Sequence, residues 1–305
     1  MEEGIRARFL AEFTLSAANG LGMTRGPVGA NNKRQRATDD RQLNTDNYIM
    51  LLVIDVGNTN TVLGVFAGQE LRAQWRLKTD KSQTADEYGI LTRNLFTLDS
   101  VQANQINGIM VASVVPTLNP VLEEMAWKYF HLKPLYLTPG TRTGMAIHYD
   151  NPQEVGADRI ADSVAAFEKY GGPCIIVDFG TAITFDVVSE KGEYLGGAIA
   201  PGLGISAEAL FEHAAKLPRV EIREPQRVIG SNTVASMQSG LFYGAVGLVD
   251  GILDRICRVL GKKTKVIATG GQALLVAGAS KYKPPVESSL TLEGLRIIYE
   301  RNRKK

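Results

Sequence analysis

The first sustained apolar run in the chain, residues 51–54, is broken by Asp55-Val56-Gly57-Asn58-Thr59-Asn60 and resumes over residues 62–66. A short apolar run, a cluster of small polar residues and a second extended run predict a strand-turn-strand hairpin. Residues 174–188 repeat the pattern: an apolar run, then Asp178-Phe179-Gly180-Thr181-Ala182, then an alternating strand through Thr184 and Asp186. Ile54-Asp55-Val56-Gly57 aligns with Val177-Asp178-Phe179-Gly180. Two hairpins of one design predict a duplicated fold whose halves face each other across a cleft.

The remaining periodicity fills in an α/β chain of mixed sheets with helices packed on them. A third strand is predicted over 71–77, and the capping box Thr84-Ala85-Asp86-Glu87 opens a helix toward Phe96. A strand over 109–115 ends at Pro116, a helix covers 121–130, and a short strand covers 135–137. In the second half, Ile160, Val164 and Phe167 mark a helix over 157–170 that stops at Gly171-Gly172. Residues 196–202 read as a glycine-rich bend leading into a helix over 205–217. A long helix over 233–260 carries Gly240, Gly244, Gly247 and Gly251, whose spacing suits tight helix packing, with a subunit interface as the alternative. A strand over 265–269 is stopped by Gly270-Gly271, and a last helix holds Leu292, Leu295 and Ile298. The expected division is a first domain over 50–155 and a second over 156–305. Residues 1–49 lack a sustained period and read as a disordered leader. Glu2, Glu3 and Glu12 break the pattern a signal peptide needs, and Met50 beside the first strand suits an upstream start assignment or an added leader.

Composition narrows the partners. With 305 residues and 44% apolar content the chain can build large cores. A net charge of +2 from 34 basic and 32 acidic residues, with no dense basic tract, indicates neither nucleic-acid nor membrane binding, so a small-molecule partner is expected. Cys174 and Cys257 are too few for a disulfide framework and lack metal spacing, which fits a reducing cytoplasm. No apolar run approaches the roughly 20 residues that span a bilayer. His131, His148 and His213 are scattered, and no GxxxxGK[ST] phosphate loop is present.

The two turns carry the candidate chemistry. Backbone N–H groups at Gly57 and Asn58 and side-chain donors at Asn58, Thr59 and Asn60 suit phosphate oxygens. Asp55 would repel a phosphate unless a cation such as Mg²⁺ stands between them. An ordinary hairpin turn uses the same residue types; the second copy favours the phosphate reading.

In order along the chain, DVGNTNTVLG, GADR, DFGTAIT, GGAIAPG and ATGG resemble the type III pantothenate kinases, a family within the superfamily of acetate kinase, sugar kinases, Hsp70 and actin. The resemblance covers residues 50–299. It implies two duplicated ribonuclease-H-like domains of the actin/Hsp70 type around an ATP cleft, and ATP-dependent phosphorylation of pantothenate, the first step of coenzyme A synthesis. It also implies Mg²⁺ with ATP, a monovalent cation (K⁺ or NH₄⁺), and a cytoplasmic homodimer. By the same resemblance Asp55, Val56, Gly57, Asn58, Thr59, Asn60, Thr61 and Val62 form the first phosphate motif. Asp178 holds the monovalent cation, and Thr181 contacts ATP phosphate. Gly156, Ala157, Asp158 and Arg159 form the substrate tetrapeptide with Asp158 as proton acceptor, Tyr149 and Thr233 are further substrate positions, and Gly270-Gly271 is the adenosine motif.

Read from the residues alone, several roles stay open. Asp158 also suits a first-turn acid placed for the helix dipole, and Thr233 suits a helix N-cap. Arg159 has two candidate partners, the pantothenate carboxylate and Asp162. Tyr149 closes over substrate or is a surface residue. Two rival functions remain: a related small-molecule kinase, and a non-catalytic nucleotide-binding regulator of the same fold.

Overall fold

Alternation along the first strand sorts its side chains between two cores. The computed structural model describes residues 49–261 and 263–303; the leader expected over 1–49 lies outside them except for Ile49. In β1 (Met50–Val56), Leu51 and Val53 enter one core while Leu52, Ile54 and Val56 enter another. In β6 (Cys174–Phe179) the same rule sends Cys174 and Ile176 to the first core and Ile175, Val177 and Phe179 to a third. Asp55 and Asp178 are therefore the last members of the two rows that face the shared core, which is why both reach one cleft.

The first sheet contains β1, β2 (Asn60–Ala67), β3 (Glu70–Lys78), β4 (Ile106–Ser113) and β5 (Leu135–Tyr136), in the order β3-β2-β1-β4-β5. The second contains β6, β7 (Ala182–Val188), β8 (Tyr194–Pro201) and β9 (Lys265–Thr269), in the order β8-β7-β6-β9. In each, the hairpin strands pair antiparallel, and the first strand of the hairpin pairs parallel with a later strand. The four-strand unit is the same twice, so the duplicated actin/Hsp70-type architecture is the observed one.

Among the described residues seven α-helices cover these sheets: α1 (Ala85–Leu98), α2 (Asn119–Phe130), α3 (Ala157–Tyr170), α4 (Leu203–His213), α5 (Thr233–Leu260), α6 (Ala273–Ala277) and α7 (Leu290–Asn302). The core on one face of the first sheet takes side chains from α1 and α2, and that on the outer face of the second takes them from α5 and α6. Between the sheets lie α3 and α7, packed on each other and sharing one core with β1, β4 and β6. The last helix thus returns to the first sheet.

Three expectations are corrected. Residues 196–201 lie within strand β8 rather than in a bend, and Gly202 precedes the next helix as its N-cap; Leu195 bulges out between the pairs Val188↔Tyr194 and Val187↔Gly196, which breaks the alternation that would have revealed the strand. The helix expected over 205–217 is Leu203–His213, because the chain turns extended at Ala214. Three of the four glycines of α5 do not pack on other described residues: a Cβ at Gly240, Gly244 or Gly247 would meet none of them within 4 Å. Sequence reading also missed the short helix α6.

Candidate active site

Each hairpin is closed by a backbone bond from its first glycine. Gly57 N–H donates to Asn60 C=O at 2.9 Å, and Gly180 N–H to Ala182 C=O at 3.0 Å. The Gly57 N–H is therefore not free for a phosphate, which corrects the expected donor set. Asn58, Thr59 and Asn60 remain. Beneath the first turn, Thr79 Oγ1 donates to Gly57 C=O at 2.7 Å and lies 3.0 Å from Thr61 Oγ1. Thr61 and Val56 are thus buried supports, while the other six residues of the first motif line the cleft. The second turn rests on the start of α4, where Gly202 N–H donates to Thr181 C=O at 3.2 Å. A Cβ at Gly202 would lie 2.3 Å from that oxygen, so only glycine lets the helix terminus approach this closely. Across the cleft the turns touch, with Thr59 Oγ1 3.0 Å from Thr181 Oγ1.

Both turns, Gly156, Asp158 and Arg159 line one cavity of about 450 Å³, together with Arg76, Thr184, Thr269 and Gly271. Burial pushes the Asp55 carboxyl up to about 8, reinforced by the charges of Asp158 and Asp178 and opposed by Arg76. Burial likewise pushes Asp178 up to about 7, reinforced by Asp158 and Asp186. Behind them Asp162 is buried, its Oδ1 has no partner among the described residues, and burial raises its carboxyl well above the ordinary range. A site so crowded with acids favours a cation. Among the described residues no three metal-type side chains are grouped to hold one unaided.

Asp158 lies in the first turn of α3, capped by Gly156, and its Oδ1 accepts from Arg159 N–H at 2.8 Å. It is therefore both a dipole-favoured acid and a cleft carboxylate. Ala157 turns toward the core instead of the cavity. Within the chain Arg159 pairs not with Asp162 but with Asp186: its Nε donates to Asp186 Oδ1 at 2.7 Å, with side chains 10% and 0% exposed. Asp162 is not its partner, because Asp186 on β7 lies under the same helix turn and already accepts from Tyr194 (2.8 Å) and Thr184 (3.0 Å). Such a residue pair, 27 positions apart, gives no local sequence signal. The Arg159 Nη nitrogens have no acceptor among the described residues. Beside this pair β8 carries Gly197 because a Cβ there would lie 1.6 Å from the Phe185 carbonyl oxygen; the Arg159 Nη2, 3.4 Å from that Cβ position, is only an ordinary neighbour.

Tyr149 stands over Gly196 with its ring 6.3 Å from Tyr194, one residue along β8 from the Arg159 guanidinium. Thr233 is not in the cleft. It is the first residue of α5, where Asn232 and not Thr233 is the N-cap, and it borders a separate open cavity with Leu210, Met237 and Leu241.

The family model for type III pantothenate kinase matches residues 51–255. The chain belongs to that family. Among curated relatives, the type III pantothenate kinase of Koribacter versatilis is 59% identical over 263 residues, covering 83% of this chain and 96% of the relative. That of an Anaeromyxobacter species is 58% identical over 254 residues, covering 83% of this chain and all of the relative. Among solved structures, a Campylobacter jejuni protein assigned to the Baf family of transcriptional activators aligns with a TM-score of 0.53 at 21% identity, covering 82% of this chain and 98% of its own. That likeness speaks to the fold alone. No helix among the described residues is long and apolar enough to cross a membrane.

Proposed function

We propose that the protein transfers the terminal phosphoryl group of ATP to the primary alcohol of pantothenate, the first step of coenzyme A synthesis, in the cytoplasm. The observation that carries this reading is the convergence of both carboxylate-bearing turns with Asp158 in one cavity, in a chain of this family. Phosphoryl transfer needs alignment and charge neutralisation more than covalent help. Thr59, Thr181, Asn58 and Asn60 supply neutral donors to the polyphosphate, and the N-terminus of α4 backs the second turn. Asp158 accepts the alcohol proton. Arg159 offers its outward Nη nitrogens to the substrate carboxylate, with Tyr149 closing the far side. The raised Asp55 and Asp178 carboxyls fit Mg²⁺ at the first and a monovalent cation, K⁺ or NH₄⁺, at the second. When bound, these ions neutralise the polyphosphate that the two carboxylates alone would repel.

The test is a coupled assay with ATP, Mg²⁺ and K⁺ comparing pantothenate with acetate, glycerol and common sugars. Turnover confined to pantothenate is expected; turnover with another acceptor, or none, would overturn the assignment. Replacing K⁺ by Na⁺ at equal ionic strength should reduce activity to a small fraction, since the site would select on ion size and ligand number. Equal rates in both salts would remove the ion from Asp178.

A homodimer completes the reading. Leu210, Phe211, Val234 and Tyr243 are exposed on α4 and α5, next to the open glycine face of α5 and beside Thr233. A second copy seated there would bring its Thr233 toward the partner's pantothenate pocket. Gly244→Glu, whose Cβ would meet none of the described residues within 4 Å, should leave the melting temperature of the isolated chain little changed yet yield monomers of low activity by sedimentation. Dimers of full activity would place the interface elsewhere.

A further inference from the structure

Strand register places Asp55, Val62 and Arg76 in one row across the first sheet, since Asp55 pairs with Val62 and Val62 with Arg76. The second sheet has the corresponding row Asp178, Thr184 and Ile199. All six line the cavity. Arg76 therefore stands where the duplicate carries an isoleucine, and the two halves differ there by a full positive charge. Arginine on an edge strand is ordinarily a solvated edge device. Of the exposed polar residues Arg72, Gln74, Arg76 and Lys78 along β3, however, only Arg76 lines the cavity. It forms no ion pair with any described acid, and it opposes the rise in both Asp55 and Asp178.

Arg76 and Arg159 stand beside strands at opposite edges of the second sheet, β9 and β8. Arg76 faces the end of β9, where a Cβ on Gly271 would be 3.2 Å from its Nη1. Ile199 is two residues along β8 from Gly197, which borders Arg159. The alcohol end of the cleft, with Asp158 and Arg159, is thus opposite the Arg76 end. A polyphosphate whose terminal phosphorus faces Asp158 places its inner phosphates at Arg76.

We propose that the Arg76 guanidinium binds the β-phosphate of ATP and neutralises the charge that gathers on the departing ADP. The inference rests on the kinase reading above. In the transfer, the alcohol oxygen bonds to the terminal phosphorus, and the bond from that phosphorus to the bridging oxygen breaks. The electron pair stays on ADP, and the alcohol proton passes to Asp158. A planar fork of donors matches two phosphate oxygens at once, and a charge that grows as the bond breaks is bound more tightly in the transition state than in the ground state.

The experiment compares Arg76→Gln and Arg76→Lys with the unaltered enzyme by steady-state kinetics and by calorimetric titration of ADP and adenosine. With Gln, ADP affinity should fall about 10- to 100-fold, the usual worth of a charge-assisted bond. Adenosine affinity should stay constant, and kcat/KM for ATP should fall about 10²- to 10³-fold. The KM for pantothenate should not move, and Lys should restore part of the ADP affinity. Equal losses for ADP and adenosine, or unchanged ADP affinity, would overturn the proposal, as would unchanged turnover. If the unaltered enzyme binds ADP but shows no pantothenate-dependent turnover, the kinase reading fails. The ADP and adenosine titrations then still decide whether Arg76 holds a phosphate.

Discussion

Asp158→Asn should lower kcat by about 10²-fold or more, the usual scale of lost general-base help, while leaving ATP affinity nearly unchanged. The asparagine keeps the shape of the carboxylate in the first turn of α3 but removes its capacity to take the alcohol proton. Both phosphate turns belong to other elements and are untouched. Asp55→Asn should do the reverse, weakening the use of Mg·ATP, because Asp55 lies in β1 next to the first turn and lines the cavity where Mg²⁺ is proposed to bind. Steady-state kinetics with direct ATP titration separates the two. Near-normal turnover in Asp158→Asn would reduce the residue to a positioning role and leave the proton to water or another group.

Arg159→Met should cost about 3–5 kcal/mol of stability near pH 8, because it strands Asp186 as a buried charge with only two hydroxyl partners. Burial already raises the Asp186 carboxyl, and Arg159 is the largest influence pulling it back. Without the guanidinium its folded-state value climbs further above the unfolded one. The folded variant then binds a proton that the unfolded chain has released. Stability is lost as pH rises through this window and recovered as pH falls, so the deficit against the unaltered protein should shrink from pH 8 toward pH 5. Denaturant titration at several pH values measures it, and a deficit that grows toward pH 5 would contradict the ion-pair account. The same variant should raise the KM for pantothenate if the Nη nitrogens hold its carboxylate.

Local chemistry made much of this molecule legible in the sequence. The two hairpins announce themselves because a polar cluster interrupts an apolar run; that run is apolar on both faces, so the face on which Asp55 lies emerges only from the two cores that β1 divides. The ends of α3, α5 and β9 fall at the residues where the apolar period stops. Features made by tertiary approach were not legible. Strand β8 was hidden by its bulge and its glycines, of which Gly197 clears the Phe185 carbonyl. The Asp186 partnership joins a helix to a strand far along the chain. Nothing in the local sequence of β3 marks Arg76; only the strand register puts it in line with Asp55. The occupied Gly57 N–H could be known only once the turn was seen to close on Asn60.

The return of α7 to the first sheet has a consequence for how the chain acquires its structure during synthesis. Leu290, Leu292, Leu295 and Ile298 fill the core that β1 and β4 share with α3. The strands made first therefore keep one apolar face only partly covered, by α3, until residues 290–298 have also left the ribosome. Contacts of such long sequence separation form slowly, and a partly covered sheet face is open to association in the meantime. A nascent chain halted before residue 290 is a natural client for chaperones, although both of its phosphate turns are already in place.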